Sequence, residues 1–218
     1  MAVAASVPDL AARATDCADR LREADRVLLA SHIDADGITS AAIASTAFAR
    51  ADIDHEVVFE KQLDAESIAG IAARGFDVVL FTDFGSGQLD VIAEHEAAGD
   101  FVPVIADHHQ PADRATEFHL NPLLEGLDGA SELSGAGASY VLARALEGPD
   151  GDNRDLAGLA VVGAVGDMQD SDGGLAGANE AVVADGVDAG VVATRTDLDM
   201  YGSFLFYTSV AADHSLRA

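Results

Sequence analysis

Short apolar runs alternate with longer stretches of helical periodicity up to about residue 110 of the chain. The apolar runs predict buried strands at 26–31, 55–60, 77–82 and 101–106. Apolar residues at helical spacing predict helices at 8–24, 37–50, 64–74 and 88–98. Strands that alternate with helices in this way predict an α/β fold, in which a parallel sheet is flanked by helices on both faces.

The pattern changes beyond residue 110. A loop carries Pro111, a short strand is predicted at 117–120, and the Asn121-Pro122 dipeptide predicts a turn. Helices are predicted at 135–147, 153–168 and 176–189, and 191–195 could form another short strand. We therefore expect one domain over 1–200, in which a helical segment follows the sheet, and an unpatterned tail over 201–218.

The composition excludes several classes of protein. Cys17 is the only cysteine, so an internal disulfide is impossible and a cysteine metal site is not expected. No apolar run approaches the roughly 18 residues that span a membrane. The N-terminus lacks the basic start and apolar core of a secretion signal. We expect a cytoplasmic protein that does not contact the membrane.

The charge of the chain is strongly negative. Acidic side chains number 38 against 12 basic ones, for a formal net charge of −26, and Lys61 is the only lysine. Acids spread along the whole chain are typical of halophilic archaea, where salt screens self-repulsion, so we expect a haloarchaeal source. The alternative is an ordinary acidic protein. The missing basic footprint argues against tight, non-specific DNA binding in dilute salt, and less so in concentrated salt.

Carboxylates and imidazoles stand where the predicted strands end. His32, Asp34 and Asp36 follow the first strand, and Asp83 ends the third. The fourth strand leads into Asp107, His108 and His109, and Asp167 follows a predicted helix. Ligands of open parallel sheets bind beyond the carboxyl ends of the strands, so we expect these side chains to converge at one edge.

This mixture of ligands indicates a two-metal centre. Carboxylates with imidazole suit Mn²⁺ or Mg²⁺, and imidazole favours manganese. Two such ions about 4 Å apart can activate water and stabilise the attacking and leaving oxygens of a phosphoryl displacement. Asp83 is the candidate for the carboxylate shared by both ions, because Gly85, Ser86 and Gly87 allow close approach of the backbone. The pattern predicts a phosphoester hydrolase.

The motifs resemble those of the DHH phosphoesterases, over roughly residues 26–200. The closest likeness is to the RecJ-like branch, notably archaeal single-strand nucleases that associate with the GINS replication complex. Asn121-Pro122 and the helix start at 134–137 are also similar to that branch. The four motifs are Ser31-His32-Ile33-Asp34-Ala35-Asp36-Gly37, Thr82-Asp83, Asp107-His108-His109 and Gly166-Asp167.

The resemblance implies a role for each motif residue. His32 and Asp34 would serve one metal ion. Asp36, His108 and Asp167 would serve the other, with Asp83 between them. Asp107 would belong to the metal centre, where it would orient a histidine, and His109 would contact the scissile phosphate or the leaving group. Backbone amides of the helix start would bind a phosphate, namely those of Ser134, Gly135, Ala136 and Gly137.

The resemblance also implies the function. We expect hydrolysis of single-stranded DNA or short oligonucleotides with two divalent ions, Mn²⁺ or else Mg²⁺, in DNA repair or replication. One alternative is hydrolysis of small nucleotides such as cyclic dinucleotides, nanoRNA or phosphoadenosine phosphate. Another is a non-catalytic adaptor of a GINS-like replication complex. The nucleases of the family carry a second, DHH-associated domain, and we expect none within these 218 residues.

Overall fold

A single parallel sheet forms the centre of the fold. The structure, a computed structural model, describes residues 7–149, 151–170 and 173–193. In this part of the chain the sheet has the strand order β2-β1-β3-β4-β5, and every pairing is parallel. Each strand lies within one residue of its predicted position. The strands are β1 (Val27–His32), β2 (His55–Glu60), β3 (Val78–Thr82), β4 (Val102–Ala106) and β5 (Phe118–Leu120).

The helices of the described residues also match the sequence pattern. Single 3₁₀ turns precede several of them, as at Pro8–Leu10, where proline starts the turn that leads into the first helix. The helices are α1 (Ala11–Arg22), α2 (Ala35–Arg50), α3 (Ala65–Ala72), α4 (Leu89–Ala98), α5 (Gly135–Ala145), α6 (Ala157–Gly166) and α7 (Ala178–Asp188). The remaining 3₁₀ turns are Ser86–Gln88, Pro122–Glu125 and Arg154–Leu156.

The short strand that the sequence predicts at 191–195 is wrong for residues 191–193, the part of it that the structure describes. The amides of Val191 and Val192 both donate to the carbonyl oxygen of Gly186, which closes the end of α7. Their hydrogen-bonding groups therefore complete a helix terminus, and 191–193 form no strand. Positions 194 and 195, like the predicted tail at 201–218, lie outside the described residues.

The inner strands β1, β3 and β4 are buried on both faces, which explains their apolar runs, whereas the edge strand β2 is partly exposed. Leu29 and Leu80 pack into a core with α1, α2 and α5. Their neighbours Leu28 and Val79 pack into a second core with α3 and α4. A strand buried on both faces has no polar side, so the predicted arrangement with helices on both faces is confirmed. None of the described helices is long and apolar enough to cross a membrane.

The packing of α2 brings distant parts of the chain to the carboxyl edge of the sheet. The Asp34 carboxylate caps α2 by accepting a hydrogen bond from the amide of Gly37 over 2.9 Å. The helix then packs against both α5 and α6. The start of α5 and the end of α6 therefore lie beside the loop that leaves β1.

Candidate metal centre

The structure brings all seven predicted metal ligands together at the carboxyl edge of the sheet. Among the described residues, potential ligand atoms approach one another within 4.8 Å in three overlapping groups. One of these groups contains residues that the sequence assigned to one ion, and another those assigned to the second ion. The groups are His32, Asp34 and Asp83; Asp36, His108 and Asp167; and Asp83, Asp107, His108 and His109.

Asp83 lies between the two predicted ion positions. Its side chain is 2% exposed, and Oδ1 lies 3.3 Å from His108 Nε2 while Oδ2 lies 3.7 Å from His32 Nδ1. The residue adopts a left-handed conformation with φ of 60°, which is unfavourable for a residue other than glycine. Such strain is typical of functional sites, where the surroundings fix the side chain in one direction.

The hydrogen bonds of two histidines fix which ring nitrogen faces the carboxylates. His32 Nε2 lies 3.1 Å from the carbonyl oxygen of Lys61, and His108 Nδ1 lies 2.7 Å from that of Gly129. A carbonyl oxygen only accepts, so these nitrogens carry the protons. His32 Nδ1 and His108 Nε2 are then the nitrogens that face the acids. Metal-binding histidines are commonly oriented in this way.

Burial and the mutual repulsion of the acids favour bound protons in this cluster. Burial raises the pKa of Asp83 to about 8, and the charges of Asp36 and Asp107 add to the rise. Burial also raises the pKa of Asp36. Burial lowers the pKa of His108, but the contact of its Nε2 with Asp83 Oδ1 and the charges of the nearby acids outweigh it and raise the pKa to about 10. The cluster therefore binds protons tightly, and a metal cation in their place would neutralise the same acids.

Two buried atoms of the cluster test whether a metal ion fits. Asp83 Oδ2 and His108 Nε2 have no hydrogen-bond partner among the described residues, although both are shielded from solvent. Burial of a polar atom without a hydrogen-bond partner costs free energy, so each of these two atoms needs a further binding partner. Carboxylate oxygen and imidazole nitrogen are both good donors to Mn²⁺. The residues present fit a divalent cation.

Asp107 is saturated by hydrogen bonds from the protein. Its Oδ1 accepts from the amides of His108 and His109 and from His109 Nδ1, and its Oδ2 accepts from the amide of Ser86. Burial alone would raise its pKa, but the bond from His109 and the nearby imidazoles hold the pKa well below its usual range. In turn, Asp107 raises the pKa of His109. These contacts favour the orienting role over direct ligation.

The phosphate contact predicted at the start of α5 stays a prediction, and in this structure three of the amides there bind acceptors of the protein itself. The amides of Gly135 and Ala136 donate to the two carboxylate oxygens of Asp36 over 2.7 and 2.9 Å. The Gly137 amide donates to Ser134 Oγ, which caps the helix. The helix start therefore binds the anion expected there, but that anion is Asp36.

Close packing around Asp36 requires glycine. A Cβ atom on Gly135 would lie 2.5 Å from Asp83 Oδ1 and 3.0 Å from Asp36 Oδ2. A Cβ atom on Gly163 in α6 would lie 2.5 Å from Asp36 Oδ1. Both glycines thus let neighbouring helices approach the carboxylates, which larger residues would displace.

Comparison with known proteins identifies the family. The model for the N-terminal domain of the DHH family matches residues 26–164. The chain belongs to the DHH family. It is 31% identical over 147 residues to an uncharacterized protein of Methanocaldococcus jannaschii, a match that covers 64% of this chain and 32% of that protein. It is also 31% identical over 135 residues to the single-stranded-DNA-specific exonuclease RecJ of Escherichia coli, covering 57% of this chain and 23% of RecJ.

Solved structures share the fold of this DHH chain. A crystal structure of exonuclease RecJ bound to manganese matches with a TM-score of 0.64 and 24% identity, covering 84% of this chain and 48% of that chain. The predicted family and the predicted fold are confirmed, and the similarity to RecJ supports the predicted RecJ-like branch. The chain spans about a third and about a quarter of the two curated relatives, so their activities as whole proteins are not transferred by the match.

The DHH motifs open into a cleft of about 650 Å³. Motif residues line part of it, including His32, Asp83 and His109. The cleft is also lined by residues to which we assigned no role from the sequence. Those include Lys61, Gln62, Phe84, Gln88 and Gln110. One feature of the sequence could have drawn attention to Lys61, because it is the only lysine of the chain.

A second set of residues missed by sequence analysis supports Asp167. Gln169 is buried, and its Nε2 donates to Asp167 Oδ2 and to the Gly129 carbonyl, each over 2.9 Å. Asn179, at the start of α7, donates to Gln169 Oε1 over 2.7 Å. An amide side chain carries no charge and no periodic pattern, so only the fold reveals this support. Such outer contacts tune the affinity of a metal centre.

Proposed function

We propose that the chain is a metal-dependent phosphodiesterase that hydrolyses single-stranded DNA or short oligonucleotides. One observation carries the proposal. Two sets of ligands meet at Asp83, and two buried atoms within them, Asp83 Oδ2 and His108 Nε2, have no partner among the described residues. Membership of a family of phosphoesterases supports the same reaction.

The two sets would hold two divalent ions, with Mn²⁺ preferred and Mg²⁺ as the alternative. One set is His32, Asp34 and Asp83, and the other is Asp36, His108 and Asp167, with Asp83 close to both. When bound, such a pair of ions activates water and stabilises negative charge on the phosphoryl oxygens. The imidazole in each set favours manganese over magnesium.

His109 is suited to contact the substrate. Its side chain is 55% exposed at the cleft, and its Nδ1 is held by Asp107 over 2.8 Å. The bond to Asp107 raises the pKa of the ring and so favours the protonated form. His109 Nε2 is then available to donate a hydrogen bond to a phosphoryl oxygen or a proton to the leaving oxygen.

A nucleic-acid substrate is supported by the RecJ-like relatives. The Escherichia coli relative is named as a single-stranded-DNA-specific exonuclease, and a structure with the same fold is that of RecJ bound to manganese. The net charge of −26 opposes binding of a polyanion, so bound cations are needed to attract it. We therefore propose that the bound cations of the metal centre supply the affinity for the substrate, and that binding takes place in concentrated salt, which screens the negative charge of the chain.

The direct test is hydrolysis of a labelled single-stranded oligonucleotide in concentrated salt with Mn²⁺. The wild-type protein is compared with Asp83→Asn and with a matched control, Asp77→Asn. Asp77 is exposed and immediately precedes the same strand, at the end away from the metal centre. We expect nucleotide products from the wild type and from Asp77→Asn, and none from Asp83→Asn.

The same assay with other substrates decides between the alternatives. Hydrolysis of cyclic dinucleotides, nanoRNA or phosphoadenosine phosphate in place of the oligonucleotide would keep the chemistry and change the substrate. Equal activity of Asp83→Asn and the wild type would contradict the proposal. So would Mn²⁺ binding without turnover of any substrate, which would favour the non-catalytic role.

A further inference from the structure

Lys61 is exceptional among the cations of this acidic chain. Eight of the nine described arginines form ion pairs with carboxylates, and Arg26 stacks on the ring of Phe76 and donates to the carbonyl of Gly75. Within the same residues Lys61 has no ion pair and no aromatic partner. The eight paired arginines are Arg13, Arg20, Arg22, Arg50, Arg74, Arg114, Arg144 and Arg154.

Lys61 lies beside the candidate metal centre. The residue directly follows β2, and its carbonyl oxygen accepts the hydrogen bond that orients His32. It is exposed and lines the cleft together with His32, Asp34 and Asp83. The backbone of Lys61 is therefore tied to the candidate metal centre, while the residue is exposed and lines the cleft.

One acid outside the motifs also lines the cleft with Lys61. Asp64 caps α3, where its carboxylate accepts a hydrogen bond from the Ser67 amide over 2.9 Å. Gln62 and Gln110 line the same cleft and are neutral. Among the charged side chains that line the cleft, Lys61 is therefore the one lysine or arginine that an entering phosphate meets.

We propose that Lys61 binds a phosphate of the substrate other than the one that is hydrolysed. This inference rests on the proposed phosphodiesterase function and names the class of substrate. The substrate carries at least two phosphates, one at the metal centre and one at Lys61, as an oligonucleotide does. An ammonium group on a flexible stem suits this task because it can follow a phosphate whose position varies.

The test compares substrates with one phosphate and with several. Lys61→Gln removes the charge at similar length, Lys61→Arg keeps it, and Arg74→Gln removes an exposed cation elsewhere. For pentathymidylate with Mn²⁺, we expect Lys61→Gln to raise KM about 10-fold with little change in kcat, as for loss of one charge-assisted hydrogen bond. The rise is smaller for bis(4-nitrophenyl) phosphate, which has one phosphate, and Lys61→Arg restores most of the affinity.

Binding separates this inference from the proposed reaction. Fluorescence anisotropy with labelled pentathymidylate, and with Ca²⁺ in place of Mn²⁺, measures affinity without turnover. A weaker affinity in Lys61→Gln, but not in Arg74→Gln, would support the inference even if neither substrate were hydrolysed. Equal changes in KM for the two substrates, an unchanged affinity in Lys61→Gln, or no binding of pentathymidylate to the wild type would overturn it.

Discussion

His108 and Gln169 donate hydrogen bonds to the same acceptor, the carbonyl oxygen of Gly129, over 2.7 and 2.9 Å. Gln169 also donates to Asp167, so a single buried amide connects both the histidine and the half-buried acid of one predicted metal-binding set. The orientation of these two predicted ligands is therefore linked through residues outside the predicted set.

Substitution of Gln169 tests this link. Gln169→Leu keeps most of the volume but removes both donated hydrogen bonds, so Asp167 loses a fixed direction. We expect the affinity for Mn²⁺ to fall about 10-fold or more, the usual effect of losing an outer contact of a metal site. Isothermal titration with Mn²⁺ measures the change. Wild-type affinity in a variant with a native circular dichroism spectrum would contradict the link.

Gly135→Ala tests the close packing around the carboxylates. The added Cβ atom meets Asp83 Oδ1 at 2.5 Å, so we expect Asp83 or α5 to move, with loss of Mn²⁺ affinity and about 1–3 kcal/mol of stability. Gly70→Ala is the matched control. Gly70 lies within α3, and a Cβ atom on it would have no neighbouring atom within 4 Å. Alanine at this position should stabilise the helix by about 0.5–1 kcal/mol. Chemical denaturation measures both, and equal effects of the two variants would rule out the packing argument.

Asp107→Asn separates orientation from ligation. If Asp107 orients His109, the variant retains Mn²⁺ affinity within about threefold, while hydrolysis falls about 100-fold because His109 is no longer held or kept protonated. The pKa of His109, followed by NMR, should move down towards its ordinary value. Asp36→Asn provides the comparison, since it alters a predicted ligand. A loss of Mn²⁺ affinity as large as in Asp36→Asn would instead make Asp107 a ligand.

The pH dependence of metal binding follows from the raised pKa values. The pKa of Asp83 is raised to about 8 in the folded protein, against 3.8 in the unfolded chain. The pKa of His108 is raised to about 10 in the folded protein, against 6.5 in the unfolded chain. In both cases the folded protein holds more protons, so stability without metal falls as pH rises through these windows. Metal binding displaces the same protons and strengthens as pH rises.

The melting temperature measures this effect. Between pH 6.5 and 8 both groups contribute, so the difference in Tm between Mn²⁺-loaded and EDTA-treated protein should grow with pH. Asp83→Asn cannot release the proton of Asp83, and we expect a smaller dependence on pH. A Tm difference that stays constant over this range, or decreases, would contradict the protonation states assigned to the cluster.

The apolar pattern sufficed to predict the sheet, because strands buried on both faces are marked by the sequence itself. Val78–Thr82 has no exposed residue and is flanked by polar positions, so its limits could be predicted within one residue. Convergence of Asp34, Asp83 and His108 followed from the rule that parallel strands present their carboxyl ends at one edge.

The partners of those residues could not be predicted, because they depend on contacts across the fold. Small residues at a helix start indicate an anion site, but the sequence does not say that the anion is Asp36, whose carboxylate comes from 99 residues earlier. Gln169 likewise acquires its role only when α6 ends beside Gly129. Lys61 is marked in the sequence as the only lysine, but only the fold shows that it has no ion pair among the described residues, where eight of nine arginines are paired.

The amides of Gly135 and Ala136 that bind Asp36 are synthesised about 100 residues after it. The segments that carry Asp34, Asp83 and His108 leave the ribosome before the turn that orients Asp36. A nascent chain therefore holds its acids without that support until α5 has emerged. We expect manganese to be captured late, so that a ribosome-bound chain stalled ahead of residue 135 binds the ion weakly and one stalled after α6 binds it well.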